Sequence, residues 1–383
     1  MSFTPRAVKS TAAATSLARP GEVLFVREVR RAELARLDST LRRRLCDSGI
    51  TRWHDIEALT TVGGGRRWAV DRLERFAWSV MLAAADAFGT GDAGARDHLL
   101  RLFDRWAKGR AMSRIRGDAV DVHYAVDRTL LPAVVAWWLV RGDPTVPPQV
   151  RRRVDAWLGE RVAESVRFRT SLPPESLVAR NNHALLGASV AAAWAALDGD
   201  AALLEHALRV SRDVMAGMRA DGSLPAETVR GARALWYQRH ALASLVVIAE
   251  IAAVQGIDLY RPLPDGRDLH RAVRFLLDAV RDPRLVWSYA RANVNPGPVR
   301  NWYVQDLGFL VRRPSGRHYM AWSEIYAARF PDRPETERIA AVLADHGPDF
   351  RPMVDEYGGG NLSCLFPQAA LRAVSANSTR SPD

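Results

Sequence analysis

A chain of 383 residues, 48% apolar and 25% charged, is long enough to bury a large core and too apolar for a disordered polymer. Its net charge is +11, and the basic side chains are almost all arginine, with lysine only at Lys9 and Lys108. That excess suits an acidic polymer as partner. Nucleic acid is not expected, because no basic tract interleaved with aromatics and no nucleic-acid module pattern is present.

Other classes are set aside on the same reading. No run of 18 apolar residues exists, so no membrane span is expected. The first twenty residues lack the continuous apolar core of a secretory signal. The two cysteines, Cys46 and Cys364, are far apart and pair only if the ends meet in the fold. The nine histidines are scattered, with no C-x-x-C or H-E-x-x-H pattern, so neither a metal site nor a cofactor is expected.

In chain order, residues 1–22 read as a flexible arm, 23–374 as one domain without a linker, and 375–383 as a disordered tail. Val29 to Leu45 reads as a basic outer helix. ALTTVGGGRRW, residues 58–68, is a loop; no G-K-[ST] follows its glycines, so it is not a phosphate cradle. Arg66 and Arg67 there are candidates for a lid over an anionic ligand. Helices follow at Trp68–Phe88 and Ala95–Lys108, and a loop bearing His123 and Tyr124 leads into an apolar helix ending near Gly142. Both residues are site candidates. Trp137 and Trp138 cannot face the same way on that helix; one is expected in the core, the other, Trp138, against a sugar ring. Pro147–Phe168 is a further helix.

Two stretches carry the most information. NNHALLGASVAAAWAALDGD begins at Asn181, and DGSLPAETVRGARALWYQRHALASLVVIAE begins at Asp221. Asn181 or Asn182 serves as an N-cap, but Asn-Asn-His leaves polar groups over, at a helix end that favours a carboxylate. In the second stretch a helix is expected from about Arg230 to Ala253. At roughly 100° per residue, Arg233, Tyr237, His240 and Ser244 share one face, opposite Leu235, Leu242, Val246 and Ala249. A solvated face usually carries Lys, Glu and Gln, not Tyr and His beside Trp236.

Beyond Ala253 lie helices at Leu269–Val280, Met320–Phe330 and Glu335–Ala344. The segment VWSYARANVNPGPVRNWYVQDLGFLVRR between them reads as a loop offering Arg300, Trp302 and Tyr303 as cleft-wall candidates. About a dozen helices in successive pairs, with no convincing strand alternation, suggest an all-α fold: an α/α toroid, an incomplete α/α barrel of about five to six hairpins.

NNH, DGSLPAE and RGARALWYQRHAL, in this order, resemble the alginate lyase family, polysaccharide lyases of family five and their relatives. The resemblance covers Asn181 to about Leu259, with weaker echoes at MAWSEIYAARF and GGGNLSCLF. It implies the same toroid, an anionic polysaccharide as substrate and a periplasmic or secreted setting. It also implies that Asn182 and Arg233 hold the substrate carboxylate and that His183 is a catalytic-site histidine. Tyr237 matches the first tyrosine of the family helix. The family's second, proton-moving tyrosine falls on His240, a departure that leaves the base open.

The chemistry such residues suit is β-elimination from a 4-linked uronate. The C5 proton is weakly acidic because the resulting anion spreads onto an already negative carboxylate. Arg233 and Asn182 suit the neutralising role, which needs no metal. Either Tyr237 makes both proton transfers, or a histidine is base and Tyr237 is acid. A small-acid eliminase on the same fold and a non-catalytic glycan binder are the alternatives; unsaturated product separates the enzymes from the binder.

Overall fold

Three helices of this chain are apolar on nearly every face, and such helices cannot lie on a surface. They are α5 (Ala119–Arg141), α7 (Asn182–Asp198) and α10 (Ala234–Val254). In the computed structural model, which describes residues 16–48, 56–63, 67–117, 119–295, 301–347 and 350–368, they stand side by side as an inner layer.

The elements in order are α1 (Arg27–Ala35), α2 (Ser39–Cys46), β1 (Thr61–Gly63), α3 (Arg67–Gly89), α4 (Ala93–Lys108), β2 (Arg114–Arg116), α5, α6 (Pro148–Ser171), α7 and α8 (Ala201–Ala216). Next come α9 (Pro225–Thr228), α10, α11 (Leu269–Arg281), α12 (Arg284–Ala290), α13 (Trp322–Arg329), α14 (Pro334–His346), β3 (Val354–Asp355), β4 (Gly360–Asn361) and α15 (Leu362–Leu365). Inner helices α3, α5, α7, α10 and α13 each pack on the next. Their outer partners are α4, α6, α8, α11 and α14, of which α4, α8 and α11 carry one apolar stripe and one wet face. The fold is an α/α toroid of five such hairpins. The gap between α13 and α3 is filled by α15 and the β3–β4 hairpin, which pairs Val354 with Asn361.

Several expectations are corrected. The basic stretch at 29–45 is two helices, because Asp38 breaks the run and caps α2, accepting from Thr40 and Leu41 N–H. His123 and Tyr124 sit inside α5, not in a loop before it. Trp137 and Trp138 are both fully buried. Trp138 lies against Phe25 at 4.7 Å, with its indole N–H donating to Glu22, so it has no face for a sugar. Short strands do occur: besides the hairpin, β1 and β2 pair in parallel, Thr61 opposite Arg114.

The described end of the expected arm is pinned to the body. Gly21 N–H donates to the Ala196 carbonyl, and Gln255 bonds the Arg19 and Glu22 backbones. The tail 375–383 lies outside the described residues. The chain ends do meet: Cys46 on α2 and Cys364 on α15 form a buried disulfide packed against Gly89.

Candidate active site

A cleft of about 510 Å³ opens at the N-terminal ends of α7 and α10. The chain builds it from the turns that precede those helices. Asn181 caps α7, its side chain accepting from His183 N–H at 2.9 Å. Before α10 the chain makes a tight 3-10 turn, Gly231–Arg233, held by Gln305, which accepts from Leu235 N–H and donates to Gly231 C=O. Gln238 on α10 grips the D-G-S-L-P turn, accepting from Leu224 N–H and donating to Gly222 C=O. Gly222 has φ +97° with its α-carbon against the Arg271 backbone, so a side chain there has neither the conformation nor the room.

Five rings line up along one wall. Tyr124 on α5 stacks on His183 at 3.9 Å, 7° from parallel. Its hydroxyl meets that of Tyr357, from the β3–β4 turn, at 2.5 Å, and also donates to Asn182 Oδ1 at 3.3 Å. Tyr357 in turn stacks on His240 at 4.4 Å. Tyr237 meets His240 edge-on at 5.9 Å and carries the Arg230 guanidinium 3.9 Å above its ring.

Burial and charge set the protonation of this wall. His183 is pushed down to about 3, by burial first and then by Arg169 and Arg230. His240 lies well below the ordinary histidine value, again by burial first, then by Arg239 and Arg128. Both imidazoles are therefore uncharged at neutral pH. Tyr124 is pushed up to about 12 by burial, and Tyr357 moves in the same direction for the same reason. These phenols keep their protons. Glu356, next to Tyr357, is held at about 2: burial alone raises it, but the Arg128 and Arg317 guanidinium groups outweigh that.

The cations differ in how much they have left to give. Arg233 sits 3.4 Å from Asp306, both partly exposed. Arg230 donates Nε–H to the Asn295 carbonyl at 3.0 Å, while its Nη1 is buried without a hydrogen-bond partner. Arg239 is wholly buried, 3.6 Å from Asp355, beneath the wall.

Of the residues expected at the site, His183, Arg233, Tyr237, His240 and Tyr124 all line the cleft. Asn182 is fully buried one layer behind, its amide held by Glu227 and Tyr124. The face of α10 carrying Arg233, Tyr237 and His240 does look into the cleft and not into bulk water, whereas Ser244 is buried further along. Trp302 and Tyr303 do not line the cleft; they pack with Trp287 on α12. His123 is stacked on Phe168 at 3.8 Å, away from it. Arg66 and Arg300 lie outside the described residues, as does the side chain of Arg67.

Arg128, Arg230, Tyr319 and Tyr357 line the cleft and were not anticipated. Arg230 was legible in principle, one turn before Arg233; Tyr357 stands immediately before the Gly358–Gly360 run. Among the described residues, no group of three or more His, Cys, Asp or Glu is placed to hold a metal ion.

Comparison with known proteins bears on the family and the fold. The alginate lyase family model matches residues 64–286. A polysaccharide lyase of Stenotrophomonas maltophilia is 30% identical over 304 residues, spanning 78% of this chain and 80% of that one. An alginate lyase of Pseudomonas syringae pv. tomato is 29% identical over 48% of this chain, which spans only 43% of that protein. Alginate lyase A1-III from Sphingomonas species A1 superposes with a TM-score of 0.74 at 25% identity, over 92% of this chain and 97% of that one. A histidine-to-alanine variant of A1-III, complexed with tetrasaccharide, superposes equally well. With the family model covering more than half of its length, this chain belongs to the alginate lyase family and is a polysaccharide lyase.

Proposed function

We propose that this cleft cleaves a 4-linked uronate polymer by β-elimination, with Arg233 and Arg230 neutralising the substrate carboxylate. The observation that carries the reading is two guanidinium groups and two uncharged imidazoles opening on one hollow. A cation at the carboxylate stabilises the dianionic charge that develops when the C5 proton leaves. An uncharged imidazole is ready to take that proton, and His240 and His183 both qualify. A phenol on the same wall then serves the departing O4; Tyr237 on α10 and Tyr357 on the hairpin are the two candidates. Asn182, held from behind by Glu227, acts as a positioning residue for Tyr124 and the start of α7.

Base and acid on one wall suit a sugar whose C5 hydrogen and C4 oxygen lie on the same ring face. That is the arrangement in mannuronate and glucuronate, and not in guluronate. The substrate class is therefore polymannuronate or a glucuronan-type polymer. The test is incubation with polymannuronate, polyguluronate and glucuronan, followed by the ultraviolet absorbance of the new C4–C5 double bond. A rise with the first or third and not with polyguluronate is expected; no rise with any of them rejects the reading.

The buried Cys46–Cys364 disulfide supports an oxidising compartment, hence a periplasmic or secreted enzyme. Fractionation of producing cells tests this; a wholly cytoplasmic, reduced protein contradicts it.

A further inference from the structure

We infer that Trp287 and Tyr303, with Arg291 beside them, form a second binding surface outside the cleft, which holds sugar units of the polymer remote from the bond being cut. This rests on the reading of the cleft as a uronate lyase and deepens it, by setting long chains apart from short ones as substrates.

The observation is a group of three aromatic rings at the surface. Trp287 on α12 meets Trp302 at 6.3 Å and 89°, and Tyr303 at 6.5 Å and 77°. Trp302 and Tyr303 meet at 5.6 Å and 89°. Trp302 packs on the core and anchors the group. Trp287 is 36% exposed and Tyr303 52%, with Val304 exposed next to them. Single apolar side chains on a surface are ordinary, but a cluster of large ones marks a place of contact. This cluster is fixed before anything binds. The Trp287 indole N–H donates to the Tyr303 carbonyl at 3.0 Å, so the one polar atom of that side chain is spent and the ring is left to offer its face. Rings held in this way lose little freedom on binding.

The platform is tied to the cleft. Helix α12 packs on the Gly231–Arg233 turn that precedes α10. Gln305 donates to both the Gly231 and the Trp302 carbonyls. Asp306 N–H donates to the Ala232 carbonyl, and the Asp306 carboxylate is 3.4 Å from Arg233, which lines the cleft. Tyr303 precedes Asp306 by three residues, so their α-carbons lie within about 11 Å, a span of a few sugar units. A polymer that leaves the cleft on its Arg233 side therefore reaches these rings.

The chemistry selects the occupant. The C–H face of a sugar ring stacks on an aromatic face. Arg291, exposed at the C-terminal end of α12 one turn beyond Trp287, puts a guanidinium on the same side of that helix. A uronate unit uses both, the ring for its C–H surface and the cation for its carboxylate. A second copy of this chain fits less well, because a two-fold contact sets the patch against itself and brings the two Arg291 cations together.

The experiment takes the full chain as wild type, W287A/Y303A, R291E and W287F. Each is assayed on mannuronate oligomers from the trisaccharide up to long polymannuronate. Retardation in a gel containing polymannuronate gives a readout that needs no turnover. W287A/Y303A is expected to match wild type on the trisaccharide and to lose about tenfold in kcat/KM on the polymer, through KM, with weaker retardation. R291E is expected to lose about threefold or more on the polymer alone, and W287F, which keeps a ring, to stay near wild type. Equal loss at every length overturns the proposal, as does no loss at any length. So does a wild-type dimer that W287A/Y303A turns into a monomer with unchanged polymer kinetics, which makes the patch a contact between copies. In each of these cases the lyase reading stands. If the double variant does not fold, Y303A and R291E, both at exposed positions, carry the same comparison. If the wild type cleaves nothing, the lyase reading fails and retardation decides alone: retardation absent in the wild type, or undiminished in W287A/Y303A, overturns the platform.

Discussion

Glu227 accepts both the backbone N–H and the side-chain amide of Asn182, the latter at 3.0 Å. This one carboxyl ties the D-G-S-L-P-A-E turn to the start of the N-N-H helix, so the two motifs are parts of a single support. Burial pushes Glu227 up to about 7. Changing Glu227 to Gln turns one acceptor into a donor facing another donor. A loss of roughly 1–3 kcal/mol in unfolding free energy is expected, from denaturant titration. The sign with pH follows from the raised value. The folded state binds the proton more tightly than the unfolded chain, so this group's contribution is full below its ordinary 4.5 and is lost as pH rises through about 7.

The histidines make the opposite prediction for activity at low pH. His183 at about 3 and His240 well below 6.5 keep a neutral base available in mild acid. The acid limb of kcat/KM should therefore fall below 6.5, where an ordinary histidine would place it. A limb centred at or above 6.5 contradicts this. For stability, a depressed folded value means the unfolded chain takes the proton first. The histidine contribution is therefore complete above 6.5 and shrinks as pH falls toward the folded values.

Arg230 and Arg233 are expected to share the carboxylate. Arg230 has a buried, unpartnered Nη1, and Arg233 has Asp306 at 3.4 Å. Alanine at either position should lower kcat/KM by roughly 10- to 100-fold, the cost of one charge-assisted hydrogen bond of about 1.5–3 kcal/mol. Lysine at 230 should not restore it, because a single ammonium does not reproduce the planar fork over the Tyr237 ring. Steady-state kinetics on polymannuronate measure both.

Trp138 offers a contrast. It is fully buried against Phe25, so Trp138→Ala should cost about 3–5 kcal/mol of stability and leave KM unchanged in whatever fraction stays folded. A raised KM with normal stability would restore it as a sugar contact.

The disulfide joins α2 to the segment just after the Tyr357 hairpin. Replacing Cys46 and Cys364 together by Ser should remove about 2–4 kcal/mol and lower the melting temperature. Calorimetry with and without reductant checks it.

What could be read along the chain was whatever is local. Helix α7 is written as a run apolar on nearly all faces, and α10 as one apolar outside its Tyr237–His240 stripe; such helices have nowhere to lie except an inner layer. The cap at Asn181 and the shared face of Arg233, Tyr237 and His240 follow from a helix turn of fixed angle. The succession of about a dozen paired helices indicated the toroid, and these local features indicated half of the cleft. The other half depended on where remote segments return. Tyr357 reaches His240 because the β3–β4 hairpin fills the gap between α13 and α3, and no periodicity near residue 357 encodes that contact. Trp138 was misread for a related reason: helical phase separates Trp137 from Trp138, but only packing on both sides of α5 shows that every face of that helix is inside. Local pattern constrains a residue's own backbone and face; which groups meet across the ring, and therefore which protons they hold, is set by burial and charge that exist only once the chain has closed on itself.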